Sequence, residues 1–324
     1  MRARITGTGS YAPERVVTNA DLERMVATSD EWIRERTGIR ERRVVVEGQA
    51  CSDLAVIAAE RALKAAGVSA SELDMILLAT CTGDMPLPST ACLLQHRLGA
   101  TRAAACDLAA ACCGFVYALG VGDAYIRTGM RHVLVVGSEV MSAITDWTDR
   151  NTCVIFGDGA GAAVLSACTG DRGILSTHLH SDGSMCDLIA VPGGGTRIPP
   201  SERMVKDRLQ YIKMKGNETF KVAVRTLEEV ARETLAAHGL SVEDVDLYVP
   251  HQANVRIIKA VADRLGLPPE KLVLNMDRYG NTSAASIPIA LDEAVRDGRV
   301  RDGQLIMLGA FGAGLTWASA LIRW

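Results

Sequence analysis

Aromatic side chains make up only 4% of the 324 residues, so the interior has to be assembled largely from Ala, Val, Ile and Leu. No C-x-x-C pair occurs among the nine cysteines, and an odd count in a long chain argues against a disulfide framework and against a zinc site. No apolar run approaches the roughly 18 residues of a membrane span. The N-terminal segment Met1–Gly7 carries none of the apolar core of a secretion signal. No Lys or Arg cluster stands out and the formal net charge is −3, which excludes general nucleic-acid binding. Low-complexity tracts are missing too, which excludes a disordered or fibrous chain. These absences imply a cytoplasmic protein in a reducing setting, with neither nucleic acid nor membrane as partner. What the chain does have is 48% hydrophobic residues and 30 glycines, enough for one large domain or two ordinary ones. The many small side chains imply closely apposed helices and sheets, an α/β protein rather than a β-sandwich.

Short apolar runs alternate with helical periodicity. Met75–Ala79, Val133–Gly137, Leu247–Val249 and Leu305–Leu308 read as buried strands; Leu54–Ala66, Phe115–Thr128, Phe220–His238, Val255–Leu265 and Ile287–Arg296 read as helices. An internal repeat organises them. Leu63–Asp74 matches Leu235–Asp246 without gaps at a shift of 172 residues, through Leu, Gly, Ser and Asp. The same shift lays Ala118-Leu119 on Ala290-Leu291 and Val133–Gly137 on Leu305–Gly309. A slip of five residues pairs Arg97-Leu98-Gly99 with Arg264-Leu265-Gly266. Two similar α/β halves, 1–170 and 171–324, are therefore expected. They differ in a telling way: Cys112 falls opposite Ala284, His251 opposite Ala79, and Asn281 opposite Ala109. A single active site between pseudo-symmetric halves would leave that asymmetry.

Cys112 lies in Ala109-Ala-Ala-Cys-Cys-Gly-Phe115, at the start of a helical pattern. The helix dipole and free N–H groups there favour thiolate and predict a lowered thiol pKa. Taken alone, the position suits a nucleophile and a buried structural thiol equally. His251, in Val249-Pro-His-Gln-Ala-Asn254, follows a strand, where side chains of α/β folds enter the ligand crevice, or where a histidine satisfies its own turn. Asn281, in Tyr279-Gly-Asn-Thr-Ser-Ala-Ala-Ser286, reads on its own as a plain N-cap.

Together these three segments resemble those of β-ketoacyl-acyl carrier protein synthase III, a thiolase-superfamily condensing enzyme that starts type II fatty acid synthesis. Ser29–Ile39, Phe156–Gly161, His178–Gly183 and Phe311–Trp317 extend the resemblance from one terminus to the other, in the family's order. It implies a thiolase-like fold, two pseudo-symmetric α/β halves layered αβαβα. It also implies a Cys-His-Asn triad at Cys112, His251 and Asn281, performing decarboxylative Claisen condensation of a short-chain acyl-CoA with malonyl-acyl carrier protein. Such an enzyme is a homodimer and needs no cofactor, acyl-CoA being a substrate. A neutral His251 would serve that chemistry, so a depressed imidazole pKa is expected.

The resemblance assigns further positions. Backbone N–H groups of Cys112 and of the turn at Ala313 would hold the acyl oxyanion, although Ala313 departs from the family's Gly-Gly-Gly pattern. Trp32 and Arg150 would stack on the adenine of CoA, Arg36 would meet phosphate, and Asn217 would line the pantetheine tunnel. Lys221 and Arg256 would dock an acidic carrier protein. Phe156 and Leu87 belong to the acyl pocket, Leu87 reaching across the dimer, where a residue smaller than an aromatic leaves room for longer or branched primers. Cys113 is read as structural. Phe156–Gly161 has the look of a phosphate loop, but the strand-like Ala162–Ser166 follows it, so no nucleotide site is expected there. Gly193–Gly195 with Pro199-Pro200 reads as a movable loop over the site. The alternatives are a condensing enzyme or acyltransferase of secondary metabolism with another acceptor, a simple transacylase, and a non-catalytic carrier-binding subunit. Intact Cys112 argues against the last.

Overall fold

The strands that carry the architecture are β1 (Arg2–Tyr11), β2 (Met75–Ala79), β3 (Ala104–Leu108), β4 (His132–Val140), β5 (Asp158–Cys168), β6 (Gly173–Ser181), β7 (Leu247–Pro250), β8 (Leu305–Gly312) and β9 (Thr316–Arg323). They are seen in a computed structural model that describes Met1–Trp324. The main helices are α1 (Asp30–Thr37), α2 (Cys51–Ala66), α3 (Thr90–Leu98), α4 (Gly114–Arg127), α5 (Gly216–Ala236), α6 (Val255–Leu265) and α7 (Ser286–Arg296).

One sheet has the order β1-β5-β4-β2-β3 and the other β6-β9-β8-β7. In both, the first two contacts are antiparallel and the next is parallel: β4 with β2, and β8 with β7. The counterpart of β3 in the second sheet shrinks to one parallel bridge between Tyr248 and Leu272. The repeat reaches down to the turns. Gly67 and Gly239 close helical segments at φ 65° and 63°, and the capping boxes Ser69/Glu72 and Ser241/Asp244 open equivalent one-turn helices.

Period-2 alternation divides each strand between two packed faces. Met75, Leu77, Val133 and Val135 face inward, with Phe115, Val116 and Leu119 of α4 and Ile287, Ala290 and Leu291 of α7. Ile76, Leu78, Leu134 and Val136 face outward onto the Ala-rich side of α2. On the far side α5 and α6 cover Tyr248, Leu305, Met307 and Leu321. The result is five layers, αβαβα, with α4 and α7 sandwiched between the sheets. Enclosed except at its last turn, where Ala124, Tyr125 and Arg127 are exposed, α4 is apolar over most of its surface, as its sequence shows. Small residues set the spacing: a Cβ at Gly9 of β1 would sit 2.4 Å from the Ala58 carbonyl oxygen of α2.

Three boundaries depart from the apolar pattern. Helix α2 begins at Cys51, three residues before the first periodic leucine, because Asp53 accepts from the Ala50 N–H and closes its first turn. Helix α5 begins at Gly216 through a polar turn, Gly-Asn-Glu-Thr, without apolar periodicity. Strand β3, Ala-Ala-Cys-Asp-Leu, has mostly exposed side chains and lies at the sheet edge, so neither alternation nor a buried run marks it. Phe156–Gly161 leads straight into β5, as expected. All nine cysteines are free.

Candidate active site

Cys112 sits in the single helical turn Ala111–Cys113 that joins the C-terminal end of β3 to α4. Ala111 takes φ 45°, a left-handed conformation uncommon for a residue with a side chain. Ser283, 172 residues later, repeats it at φ 50° in the turn before α7, and the two turns pack together. A cavity of about 350 Å³ opens there, lined by Cys112, His251, Asn281, Phe156 and Ala313 among mostly apolar neighbours. Three residues distant in sequence thus share one space. Gly312 lies hard against the nucleophile: an added Cβ would come within 2.8 Å of the Cys112 nitrogen.

The expected lowering of the Cys112 thiol does not occur. Burial pushes it up to about 12, the nearby Glu139 charge adds to the rise, and the Ser283 side chain only partly offsets it by hydrogen bonding. Desolvation in the mostly apolar cavity outweighs the start of α4. Burial drives His251 the expected way, down to about 3. Both groups are therefore neutral near pH 7.

His251 follows β7 directly, its N–H donating to the Gly309 carbonyl at 2.7 Å. Its Nδ1 lies 2.6 Å from Ser286 Oγ, which also accepts the Gln252 N–H at 3.3 Å. The Ser286 hydroxyl has no acceptor other than Nδ1, so its proton is aimed there. This hydrogen-bond pattern assigns the tautomer with the proton on Nε2. Asn281 is likewise oriented. Its Oδ1 accepts the Ser283 N–H at 2.8 Å in an Asx turn, one residue ahead of Thr282, which is the actual N-cap, and Nδ2 is left as a donor for the cavity. The site thus offers two neutral N–H donors beside a neutral thiol.

The remaining positions spread outward. Phe156 is buried in the cavity wall. Trp32 of α1 is half-buried, with the Arg150 guanidinium 4.5 Å and the Arg36 guanidinium 5.3 Å from its ring centre. Asn217, in the first turn of α5, is exposed and outside the cavity lining, although its neighbours Gly216, Thr219 and Phe220 belong to it. Lys221 and Arg256 are exposed at the same end, Arg256 lying over Phe220 at 5.7 Å. Leu87 is 85% exposed and lines no part of this chain's cavity. Cys113 is buried, its thiol on the Thr316 carbonyl, which suits a structural part. Ile189–Val191, just before the glycine-rich loop, line the cavity.

Sequence reasoning passed over Ser283, Ser286, Cys81 and Glu139. Cys81 and Ser283 line the cavity, and Glu139 lies behind them, completely buried, accepting from Ser283 Oγ at 2.9 Å. A signal for Glu139 existed: it is the one charged residue in the run Val133–Val140. Ser283 stands opposite Ala111 in the repeat, another polar-for-alanine exchange of the kind that marked the other three.

Known proteins resemble this chain over nearly its whole length. Residues 106–183 match the family profile described as 3-oxoacyl-[acyl-carrier-protein (ACP)] synthase III, and residues 235–324 match the profile of its C-terminal part. The chain is 59% identical to the beta-ketoacyl-[acyl-carrier-protein] synthase III of Alkalilimnicola ehrlichii, over 99% of both chains. Among solved structures it resembles the 3-oxoacyl-[acyl-carrier-protein] synthase III of Aquifex aeolicus, with a TM-score of 0.92 and 49% identity over 99% of this chain and 100% of that one. The priming beta-ketosynthase of the R1128 polyketide pathway has the same TM-score at 37% identity, over 99% of this chain and 96% of the other.

Proposed function

The chain belongs to the 3-oxoacyl-[acyl-carrier-protein] synthase III family and is a condensing acyltransferase of fatty acid synthesis; from that premise we propose that Cys112, His251 and Asn281 divide its reaction between them. The Cys112 sulfur attacks the thioester carbon of a short-chain acyl-CoA, CoA leaves as the thiol, and an acyl-cysteine remains. Backbone N–H groups of Cys112 and Ala313 hold the oxyanion formed on the way. Ala313 keeps a donor without requiring positive φ. Malonyl-acyl carrier protein then enters. Its carboxyl carbon bond breaks, CO2 departs, and the electron pair becomes an enolate whose oxygen is met by His251 Nε2–H and Asn281 Nδ2–H. The enolate carbon attacks the acyl-cysteine, Cys112 leaves as thiolate, and the 3-ketoacyl product stays on the carrier. Loss of CO2 supplies the carbanion, so the chemistry calls for no redox or metal cofactor.

The observation that carries this reading is the orientation of the two donors. Ser286 and the Ser283 N–H occupy the other hydrogen-bonding atoms of His251 and Asn281, leaving two N–H groups and one thiol in a single cavity. A neutral His251 donor spares the site the desolvation of an imidazolium before the enolate forms.

Around this centre, Trp32, Arg150, Arg36 and Asn217 bind CoA by stacking and charge. Lys221 and Arg256 give an acidic carrier protein a basic mouth despite the acidic whole. The open edge of β3 supports a homodimer, since an uncovered strand is a template for a second chain. In that dimer Leu87 reaches the partner's acyl pocket, beside Phe156. Residues 1–170 and 171–324 act as two halves of one catalytic unit, working in the cytoplasm. The polyketide-priming relative makes a secondary-metabolic primer the second reading, and one assay separates them.

That assay follows CO2 release and product mass with acetyl-CoA and malonyl-acyl carrier protein. Cys112→Ala should take up no acyl group. His251→Ala and Asn281→Ala should still acylate at Cys112 yet fail to decarboxylate the malonyl group; undiminished condensation in either overturns the assigned roles.

A further inference from the structure

Acylation has to move a proton off Cys112, and the residues described so far do not accept it. His251 Nε2 already carries a proton, because Ser286 donates to Nδ1. Behind the nucleophile lies a group the reaction has not yet used. Glu139, near the end of β4, is 0% exposed. Its carboxylate accepts from Thr80 Oγ1 at 3.1 Å, the Cys81 N–H at 3.1 Å, Cys81 Sγ at 3.3 Å, Thr82 Oγ1 at 2.5 Å and Ser283 Oγ at 2.9 Å. Every one of these donors is neutral. A buried carboxylate held without a cation is costly to maintain, and burial raises its affinity for a proton.

Ser283 connects it to the chemistry. Its hydroxyl donates to Glu139 Oε1 at 2.9 Å, its side chain lines the same cavity as the Cys112 thiol, and its turn packs directly against the Cys112 turn. Its left-handed φ of 50° holds it against the Cys112 turn. As a fixed negative charge, Glu139 opposes formation of the Cys112 thiolate. A carboxylate so placed hinders the reaction unless it takes up the proton itself.

We propose that Glu139, acting through the Ser283 hydroxyl, receives the Cys112 proton during acylation. As sulfur bonds to the thioester carbon, the S–H proton passes to Ser283 Oγ and the Ser283 proton passes to Glu139 Oε1. When the carbon–sulfur bond to CoA breaks, the electron pair leaves with the CoA sulfur. Glu139 then returns its proton to Ser283 Oγ while the Ser283 hydroxyl gives its own to the CoA sulfur, and CoA departs as the thiol. Charge and protons balance without another reactant. The relay deepens the reading of Cys112 as nucleophile and rests on it.

The test uses rapid-mixing measurement of CoA release from acetyl-CoA, alongside alkylation of the thiol by iodoacetamide as a function of pH. Two roles for Glu139 predict opposite signs. If it is only a neighbouring charge, Glu139→Gln lowers the thiol pKa and speeds both reactions. With the relay, Glu139→Gln titrates the thiol at lower pH yet acylates about 100-fold more slowly. Acylation by Glu139→Gln at the wild-type rate or faster overturns the proposal. Ser283→Ala leaves the other four hydrogen bonds of Glu139 in place and should slow acylation to a similar degree, with Ser283→Thr restoring most of it. Wild-type acylation in folded Ser283→Ala overturns the relay whatever Glu139→Gln does. Failure of the wild-type protein to acylate at all would instead remove the nucleophile assignment beneath it.

Discussion

At the scale of single residues, burial acts on Cys112 and His251 with opposite sign and the same outcome, two uncharged groups. The His251 imidazole drops from an ordinary value of 6.5 to about 3, so between those values the unfolded chain binds a proton that the folded chain refuses. Stability contributed by this group is complete above pH 6.5 and falls as pH drops toward 3, by about 1.4 kcal/mol per pH unit. Urea midpoints should therefore decline more steeply from pH 6.5 to 4 in the wild type than in His251→Asn; equal slopes would contradict a neutral buried imidazole. Ser286 makes a second prediction. Without its hydroxyl the Nδ1 proton is free to form, and Nε2 loses its role as donor. Ser286→Ala should lower condensation by about 10- to 100-fold while acylation by acetyl-CoA stays near wild type. Nitrogen NMR of the imidazole should show the tautomer change.

At the scale of elements, the strands and helices with clean periodicity were legible in the sequence: β2, α6 and the core of α4 follow their apolar patterns closely. The edge strand β3 was not, because its side chains alternate between no two distinct environments within this chain. The turns that carry Cys112 and Ser283 were invisible as well, since left-handed Ala111 and Ser283 are held by tertiary packing rather than by a glycine preference. Gly312 records the same packing from the other side. Gly312→Ala would drive a methyl group to 2.8 Å from the Cys112 nitrogen and 2.9 Å from its Cβ. It should cost about 1–3 kcal/mol of stability and slow acylation by displacing the nucleophile. Gly195→Ala, with nothing within 4 Å of the added carbon, is the control expected to change neither in thermal melts and CoA-release assays.

At the scale of the whole molecule, a formal charge of −3 coexists with Lys221 and Arg256 exposed beside the cavity entrance at Phe220. Local charge, not net charge, steers a macromolecular substrate. Reversing both, Lys221→Glu with Arg256→Glu, should raise KM for malonyl-acyl carrier protein at least about tenfold and weaken its dependence on salt, measured by product formation from 50 to 300 mM salt. Acylation by acetyl-CoA at saturating concentration should be unaffected, because no carrier takes part in that half-reaction. The repeat belongs to this scale too: a shift of 172 in sequence corresponds to two sheets of the same strand order facing each other across α4 and α7.

The sequence by itself determined the α/β class, the internal repeat, and the residue types of the site, because periodicity, glycine-closed helices and polar-for-alanine exchanges are local marks that survive without coordinates. Tertiary structure alone decided the charge states and the donors. Whether a thiol is raised or lowered depends on burial summed over the surrounding cavity, and which nitrogen of His251 or Asn281 is free depends on Ser286 and Ser283 occupying the other atoms. The same holds for Glu139, an acid at the end of a hydrophobic run in the sequence and, after folding, a buried carboxylate held by the hydroxyl of Ser283 in the wall of the nucleophile's cavity.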